Sequence, residues 1–190
     1  MTKPNKYTRW GVGMTSALLL LGSAQAQEFV NMDVGSPAIE GSTTAEADTI
    51  SITGAGTDIW GTCDQFQFYY TGLEAGQDFD VGVRVESLVG THQWAKAELM
   101  VRLAGAEMEA PDCGDPFYAM MATRADGNGQ NNIAPQQRAA RDAEAAWDGG
   151  LAITPVPYPN VWFRLAKSGS VLSGYSSEDG VAWTLVQQID

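Results

Sequence analysis

The segment Phe79-Asp80-Val81-Gly82-Val83-Arg84-Val85-Glu86 places an apolar side chain at every second position, and runs of this kind dominate the chain. Successive strand side chains point to opposite faces, so a period of two specifies a half-buried β-strand and rules out an amphipathic helix of period 3.6. The same alternation returns in Thr49–Thr53, in Asp64–Tyr70 with Phe66, Phe68 and Tyr70 on one side, and in Val161–Ala166. Between these runs lie turn signals: Gly35-Ser36-Pro37, Gly54-Ala55-Gly56, Asp126-Gly127-Asn128-Gly129, Lys167-Ser168-Gly169 and Ser177-Glu178-Asp179-Gly180. About ten short strands in this rhythm predict an all-β sandwich or barrel. Only Ala139 to Trp147 is compatible with a short helix, and Pro155, Pro157 and Pro159 forbid its extension.

The first 26 residues read as a cleaved signal peptide. Lys3, Lys6 and Arg9 form a basic start, a short apolar run centres on Leu18–Leu21, and Ala24-Gln25-Ala26 supplies the small-x-small cleavage pattern. Residues 27–190 then form a single domain, secreted or periplasmic. Losing those three basic residues from 11 leaves 8 against 23 acidic residues, a formal net charge of −15. Such a chain repels phosphate backbones and anionic bilayers, so neither nucleic acid nor membrane is an expected partner. A glycan or another protein is. Cys63 and Cys113 are the only cysteines. In an oxidising compartment an isolated pair is read as a disulfide, with two free buried thiols as the alternative. Two cysteines and the lone His92 are too few ligands for a transition metal, and no cofactor is expected.

The stretch from His92 to Leu103 carries two rows. Ala95, Ala97, Leu99, Val101 and Leu103 suit a core, whereas Trp94, Lys96, Glu98, Met100 and Arg102 mix an aromatic, a thioether and three charges. The second row suits ligand contact. Trp60, Trp94 and Trp162 are candidate platforms for the apolar face of a sugar, with Asp64, Lys96, Arg102 and Arg164 as hydrogen-bonding partners for its hydroxyls. If both rows line one sheet, these seven residues converge on a groove. The alternative is structural: Lys96, Arg102 and Arg164 in buried ion pairs with Asp58, Asp64 or Glu98.

Catalytic signals are weak. Glu107, Glu109 and Asp112 form a carboxylate cluster, but in a Pro- and Gly-containing loop rather than on a strand framed by apolar residues. A Ser-His-Asp arrangement would depend on His92 alone, which reads as a strand end. Asp126, Asn128, Asn131 and Asn132 offer oxygens to calcium without a closing glutamate, and read as a polar turn. No catalytic residue and no metal ligand is therefore assigned.

Several segments in order carry a family resemblance: Val30-Asn31-Met32-Asp33-Val34-Gly35, Gly54-Ala55-Gly56-Thr57-Asp58-Ile59-Trp60-Gly61, Asp64–Phe68, Trp94–Arg102, Trp162–Leu165 and Tyr175–Trp183. Together they resemble the extracellular "regulation of enolase"-like domains of unknown function, within the concanavalin A-like lectin/glucanase superfamily. The resemblance spans roughly residues 30 to 188. It implies a jelly-roll sandwich of two curved antiparallel sheets whose concave face binds glycans in related folds. Glu98 stands where the family pattern leads one to expect Gly, and Cys63 where it carries another small residue. The joint departure at Cys63 and in the Cys113 loop supports their pairing. The Ser177–Trp183 turn resembles a shortened Asp-box, a structural device in sialidases. The reading that follows is a secreted, non-catalytic β-sandwich that binds carbohydrate. The alternatives are an interaction or structural domain without a small ligand and, third, a glycoside hydrolase-like enzyme.

Overall fold

The computed structural model describes residues 28–103, 110–124, 132–147 and 157–190. The leader, Glu107 and Glu109 of the carboxylate cluster, and Asp126, Asn128 and Asn131 lie outside the described residues. The described residues form twelve strands: β1 Val30–Val34, β2 Ser42–Glu46, β3 Thr49–Thr53, β4 Phe66–Tyr70, β5 Phe79–Val85, β6 Lys96–Arg102, β7 Phe117–Thr123, β8 Ile133–Arg138, β9 Ala146–Trp147, β10 Val161–Ser168, β11 Val171–Ser177 and β12 Thr184–Ile189. No helix occurs among the described residues, so the fold is all-β.

Two four-stranded antiparallel sheets carry the core. One runs β6-β7-β8-β9 and the other β12-β11-β10-β5, while β1-β4 and β2-β3 form two smaller antiparallel pairs. Alternation decides what each strand buries. On β10, Val161, Phe163 and Leu165 point inward, and on β7 Tyr118, Met120 and Ala122 do so. With Ile133 and Val186 they form one buried cluster, flanked by Leu99, Val101, Phe79, Val83 and Val85. The two larger sheets thus pack face to face, the arrangement of a β-sandwich. Gly174 makes room at the seam: a Cβ there would lie 2.6 Å from the Tyr118 hydroxyl and 2.8 Å from Met120 Sδ.

The outward face of the β6–β9 sheet is also covered at one end. Phe117 and Ala119 of β7, with Ile59 and Ala145 from two loops, form a second buried cluster joined by Phe66 and Met100. Both faces of β7 are consequently buried along its whole length.

Three expectations need correction. Ala139–Trp147 forms no helix. Asp142 adopts φ 58°, its N–H donates to the Gly114 carbonyl at 2.8 Å, and the chain then enters β9. These cross-chain bonds replace the i→i−4 ladder a helix would need. Leu103 is 66 % exposed and leaves the core row, because β6 ends at Arg102. His92 precedes its strand rather than ending one; its Nδ1 accepts from the Trp94 N–H at 3.2 Å, and its carbonyl from the Ala95 N–H at 3.1 Å, closing a tight turn.

Candidate functional site

Register defines what shares the outward face of the β6–β9 sheet. Arg102 pairs with Phe117 and Phe117 with Arg138; Met100 with Ala119, Gln136 and Trp147; Glu98 with Met121 and Ala134; Lys96 with Thr123. Directly paired residues point the same way, so these four rows form one continuous surface.

The Arg102 end is a buried charge network. Asp64, fully buried, takes Arg138 Nη1 and Nη2 at 2.7 and 2.6 Å and Arg102 Nη2 at 2.7 Å. The spare guanidinium donors reach loop carbonyls: Arg102 those of Asp112 and Cys113, and Arg138 those of Gly61, Cys113, Asp115 and Ala143. Cys63 and Cys113 are disulfide-bonded beside this knot. Both guanidinium groups lie over Phe117, at 5.4 and 5.1 Å from its ring centre.

The Lys96 end is held by the 57–62 loop. Lys96 Nζ donates to Asp58 Oδ1 at 2.5 Å and to the Ile59 carbonyl at 3.0 Å, and the Gln136 side-chain amide donates to the same carbonyl. Glycine permits the loop to lie this close. Gly56 has φ 143°, and a Cβ there would fall 2.0 Å from the Gln65 carbonyl oxygen.

Above this end stand three tryptophans. Trp60 and Trp94 are 41 % and 40 % exposed. Lys96 Nζ sits 5.5 Å from the Trp60 ring centre, and Trp94 meets Trp147 edge-on at 6.2 Å. On the same face are buried polar atoms with no partner among the described residues: both carboxyl oxygens of Glu98, Oε1 of Gln136 and Nε1 of Trp147. Burial pushes the Glu98 carboxyl up to about 8; Lys96 and Arg102 pull it down, and Asp64 and Asp58 push it further up. The arrangement therefore offers flat aromatic surface at Trp60 and Trp94, while the unpaired polar atoms of the sheet are shielded from solvent.

Trp60, Asp64, Trp94, Lys96 and Arg102 thus belong to this one face. Trp162 and Arg164 do not. They alternate with the inward Phe163 and Leu165 on β10, and so lie on the outer face of the other sheet. The expected single groove of all seven is not formed. Arg164 instead makes a two-point ion pair with Asp80 at the surface and lies over Tyr175 and Trp183, at 5.1 and 5.9 Å. Arg84 lies 5.6 Å from the Trp162 ring. The structural alternative, a buried ion pair, is met by Arg102 with Asp64; Lys96 pairs with Asp58, whose side chain is 40 % exposed, and Glu98 enters no ion pair among the described residues.

Gln136 and Trp147 were not legible as site residues. Gln136 alternates with Pro135 and Gln137 like any strand residue, and Trp147 falls in the segment compatible with a helix. Among the described residues no group of three or more His, Cys, Asp or Glu side chains is placed to hold a metal ion, and no helix is long and apolar enough to cross a membrane. No protein-family model, curated protein or solved structure matches the chain.

Proposed function

We propose that this protein is an exported, non-catalytic carbohydrate-binding β-sandwich of the concanavalin A-like jelly-roll kind, with its ligand seated on the outward face of the β6–β9 sheet. One observation carries the reading: Trp60, packed against Lys96, and Trp94, packed against Trp147, keep 41 % and 40 % of their surface open on one face. A sugar ring has an apolar C–H face suited to stacking on such indoles. Lys96 and the Asp64 network act as scaffold, holding the 57–62 loop that carries Trp60. The disulfide is compatible with an oxidising compartment, in keeping with export.

A glycan array probed with residues 27–190, wild type and Trp94→Ala, tests this. Binding to a glycan, weakened at least about tenfold in the variant, is the expected result. Absence of binding at millimolar ligand overturns it, and release of reducing sugar overturns its non-catalytic part.

A second reading rests on the other sheet. Trp162, Tyr175 and Trp183, interleaved with Arg84 and Arg164, suit contact with a protein partner rather than a small ligand. Pull-down of one partner by the wild type that fails for Trp183→Ala would favour it.

A further inference from the structure

We propose that the outer edge of β3 takes up an extended segment of a partner protein as an added strand, the segment being rich in β-branched residues and flanked by lysine or arginine. This edge belongs to neither of the large sheets, so the proposal goes beyond the carbohydrate reading.

β2 and β3 are joined by the two-residue turn Ala47-Asp48, in which Ala47 has φ 50°, and pair in unbroken register from Glu46–Thr49 to Ser42–Thr53. A two-stranded ribbon is marginal in water and gains from a third strand. None is paired to this one among the described residues. The hairpin is fixed at its base, where Gly41 and Gly54 close on β4. A Cβ at Gly41 would lie 2.2 Å from Gln67 Oε1, and one at Gly54 2.8 Å from Gln67 Cβ. Beyond the base every residue of β3 is exposed, and so is all of β2 except half-buried Thr43.

Residues flanking a two-residue turn exchange both backbone bonds, and the exchange recurs at every second pair. Glu46–Thr49, Thr44–Ser51 and Ser42–Thr53 are therefore the bonded pairs. Ile50 and Ile52, opposite Ala45 and Thr43, aim their N–H and C=O groups away from β2, and no other described backbone group bonds to them. Their side chains share one face and are 50 % and 52 % exposed. Edge strands are ordinarily blunted by charge, proline, a bulge or brevity. β5 carries Asp80 and Arg84, β6 carries Lys96, Glu98 and Arg102, β9 has two residues, and β12 is bulged opposite Gly174 and Tyr175. Thr49-Ile50-Ser51-Ile52-Thr53 has none of these devices.

Charge selects the occupant. From Gln27 to Val83 the sequence holds ten acidic residues and no lysine or arginine. Asp58, Asp64, Asp78 and Asp80 are matched by cations from later in the chain. Glu40, Glu46 and Asp48, which surround β3, are exposed and form no ion pair among the described residues. They favour a basic segment and oppose an acidic one. A second copy of this chain brings the same acidic hairpin and is opposed likewise. In strand addition the main chain supplies affinity and alternate side chains supply specificity. Aliphatic residues opposite Ile50 and Ile52 complete the cross-strand pairs, and five paired residues span about 17 Å.

The test adds short labelled peptides to the full mature chain and follows backbone amides by NMR. One peptide has a Thr-Val-Thr-Val-Thr core between lysine pairs; a second replaces the lysines by glutamates; a third keeps the lysines but has its core amides N-methylated. The first should protect the Ile50 and Ile52 amides from hydrogen exchange and bind at least about tenfold more tightly than either of the others. Ile52→Pro, which an edge strand accepts where its N–H faces outward, should weaken that binding about tenfold. Should this variant disturb the hairpin, the N-methylated peptide decides the same point in the unaltered protein. Equal binding of the N-methylated peptide would reduce the effect to charge attraction and overturn the proposal. Shifts confined to residues outside 49–53, or no binding at millimolar peptide, would overturn it too. Concentration-dependent self-association abolished by Ile52→Pro would assign the edge to a second copy instead. None of these outcomes bears on glycan binding, which the array tests separately.

Discussion

Asp64 and Arg138 form a fully buried two-point ion pair, 2.6 and 2.7 Å long, between a loop and a strand 74 residues further along the chain. Arg102 adds a second guanidinium to the same carboxylate. Removing Asp64 would leave two buried cations without a counter-charge, a situation that costs about 3–5 kcal/mol. Asp64→Ala is thus expected to lose that much in urea unfolding at pH 7. A loss below about 1 kcal/mol would show that the guanidinium groups find water or carbonyls instead, and that the network holds little.

Glu98 gives the opposite prediction. Its carboxyl is raised from 4.5 to about 8 in the folded chain, chiefly by burial. Between those values the folded state holds a proton that the unfolded chain has released, so this group makes stability fall as pH rises. Its contribution is most favourable below pH 4.5, declines through the interval and levels off above about 8. Glu98→Gln removes the ionisation. The variant should match the wild type near pH 4.5 and exceed it by several kcal/mol, of the order of 3–5, at pH 9. Parallel stability-against-pH curves for the two proteins would refute the assignment.

The two rows of β6 show what a sequence discloses and what it withholds. Alternation identified the strands around Phe79–Val85, Val161–Ala166 and Lys96–Arg102, because period two is a local property of the backbone. It also separated Leu99 and Val101 from Lys96 and Arg102. Alternation could not say whether the second row meets water. That is decided by the loop carrying Ile59, Asp64 and the disulfide, which folds over the row from some 40 residues upstream and turns its charges into ion pairs. Nor could it assign Trp162 to a different sheet from Trp94, since strand order is a long-range property. The 139–147 segment misled for a related reason. The positive φ of Asp142 is fixed by a bond to Gly114, and nothing in the local sequence announces it. Trp147, whose ring meets Trp94, lies at the end of that segment.

The disulfide lies within the same network. The Cys113 carbonyl accepts from the Asp64 N–H at 3.0 Å, from Arg102 at 2.9 Å and from Arg138 at 3.0 Å. These bonds hold the Cys113 segment in place whether or not the sulfurs are joined. Opening the bond should therefore act mainly on the unfolded chain, by releasing a crosslink between residues 50 apart. The chain-entropy model puts that effect at about 4 kcal/mol. The double variant Cys63→Ser, Cys113→Ser should lose stability on this scale while keeping wild-type near-ultraviolet circular dichroism and glycan affinity. Collapse of the near-ultraviolet spectrum would mean that the bond itself shapes the native loops.

The Ser177–Trp183 turn is a self-contained device whose role can be isolated. Asp179 Oδ1 accepts from the N–H groups of Val181 and Ala182, both at 2.8 Å, and from the Ser177 hydroxyl at 2.9 Å. The Ser177 oxygen in turn accepts from the N–H groups of Asp179 and Gly180. Gly180 takes φ 74° and lies against the Trp162 ring, where a Cβ would approach to 3.0 Å. Bonds to the backbone amides of Ala182 and Val181 hold the Asp179 carboxyl below its usual range. A carboxylate depressed in this way contributes stability above its unfolded-chain value, lost as pH falls through its folded one. Asp179→Asn should therefore lower Tm at pH 7, and the difference from the wild type should shrink as the pH is taken below the carboxylate range. Because the turn packs on the sheet opposite Trp94, glycan affinity should not change in this variant. A loss of affinity as large as that of Trp94→Ala would place the ligand on the β5–β10–β11–β12 face instead.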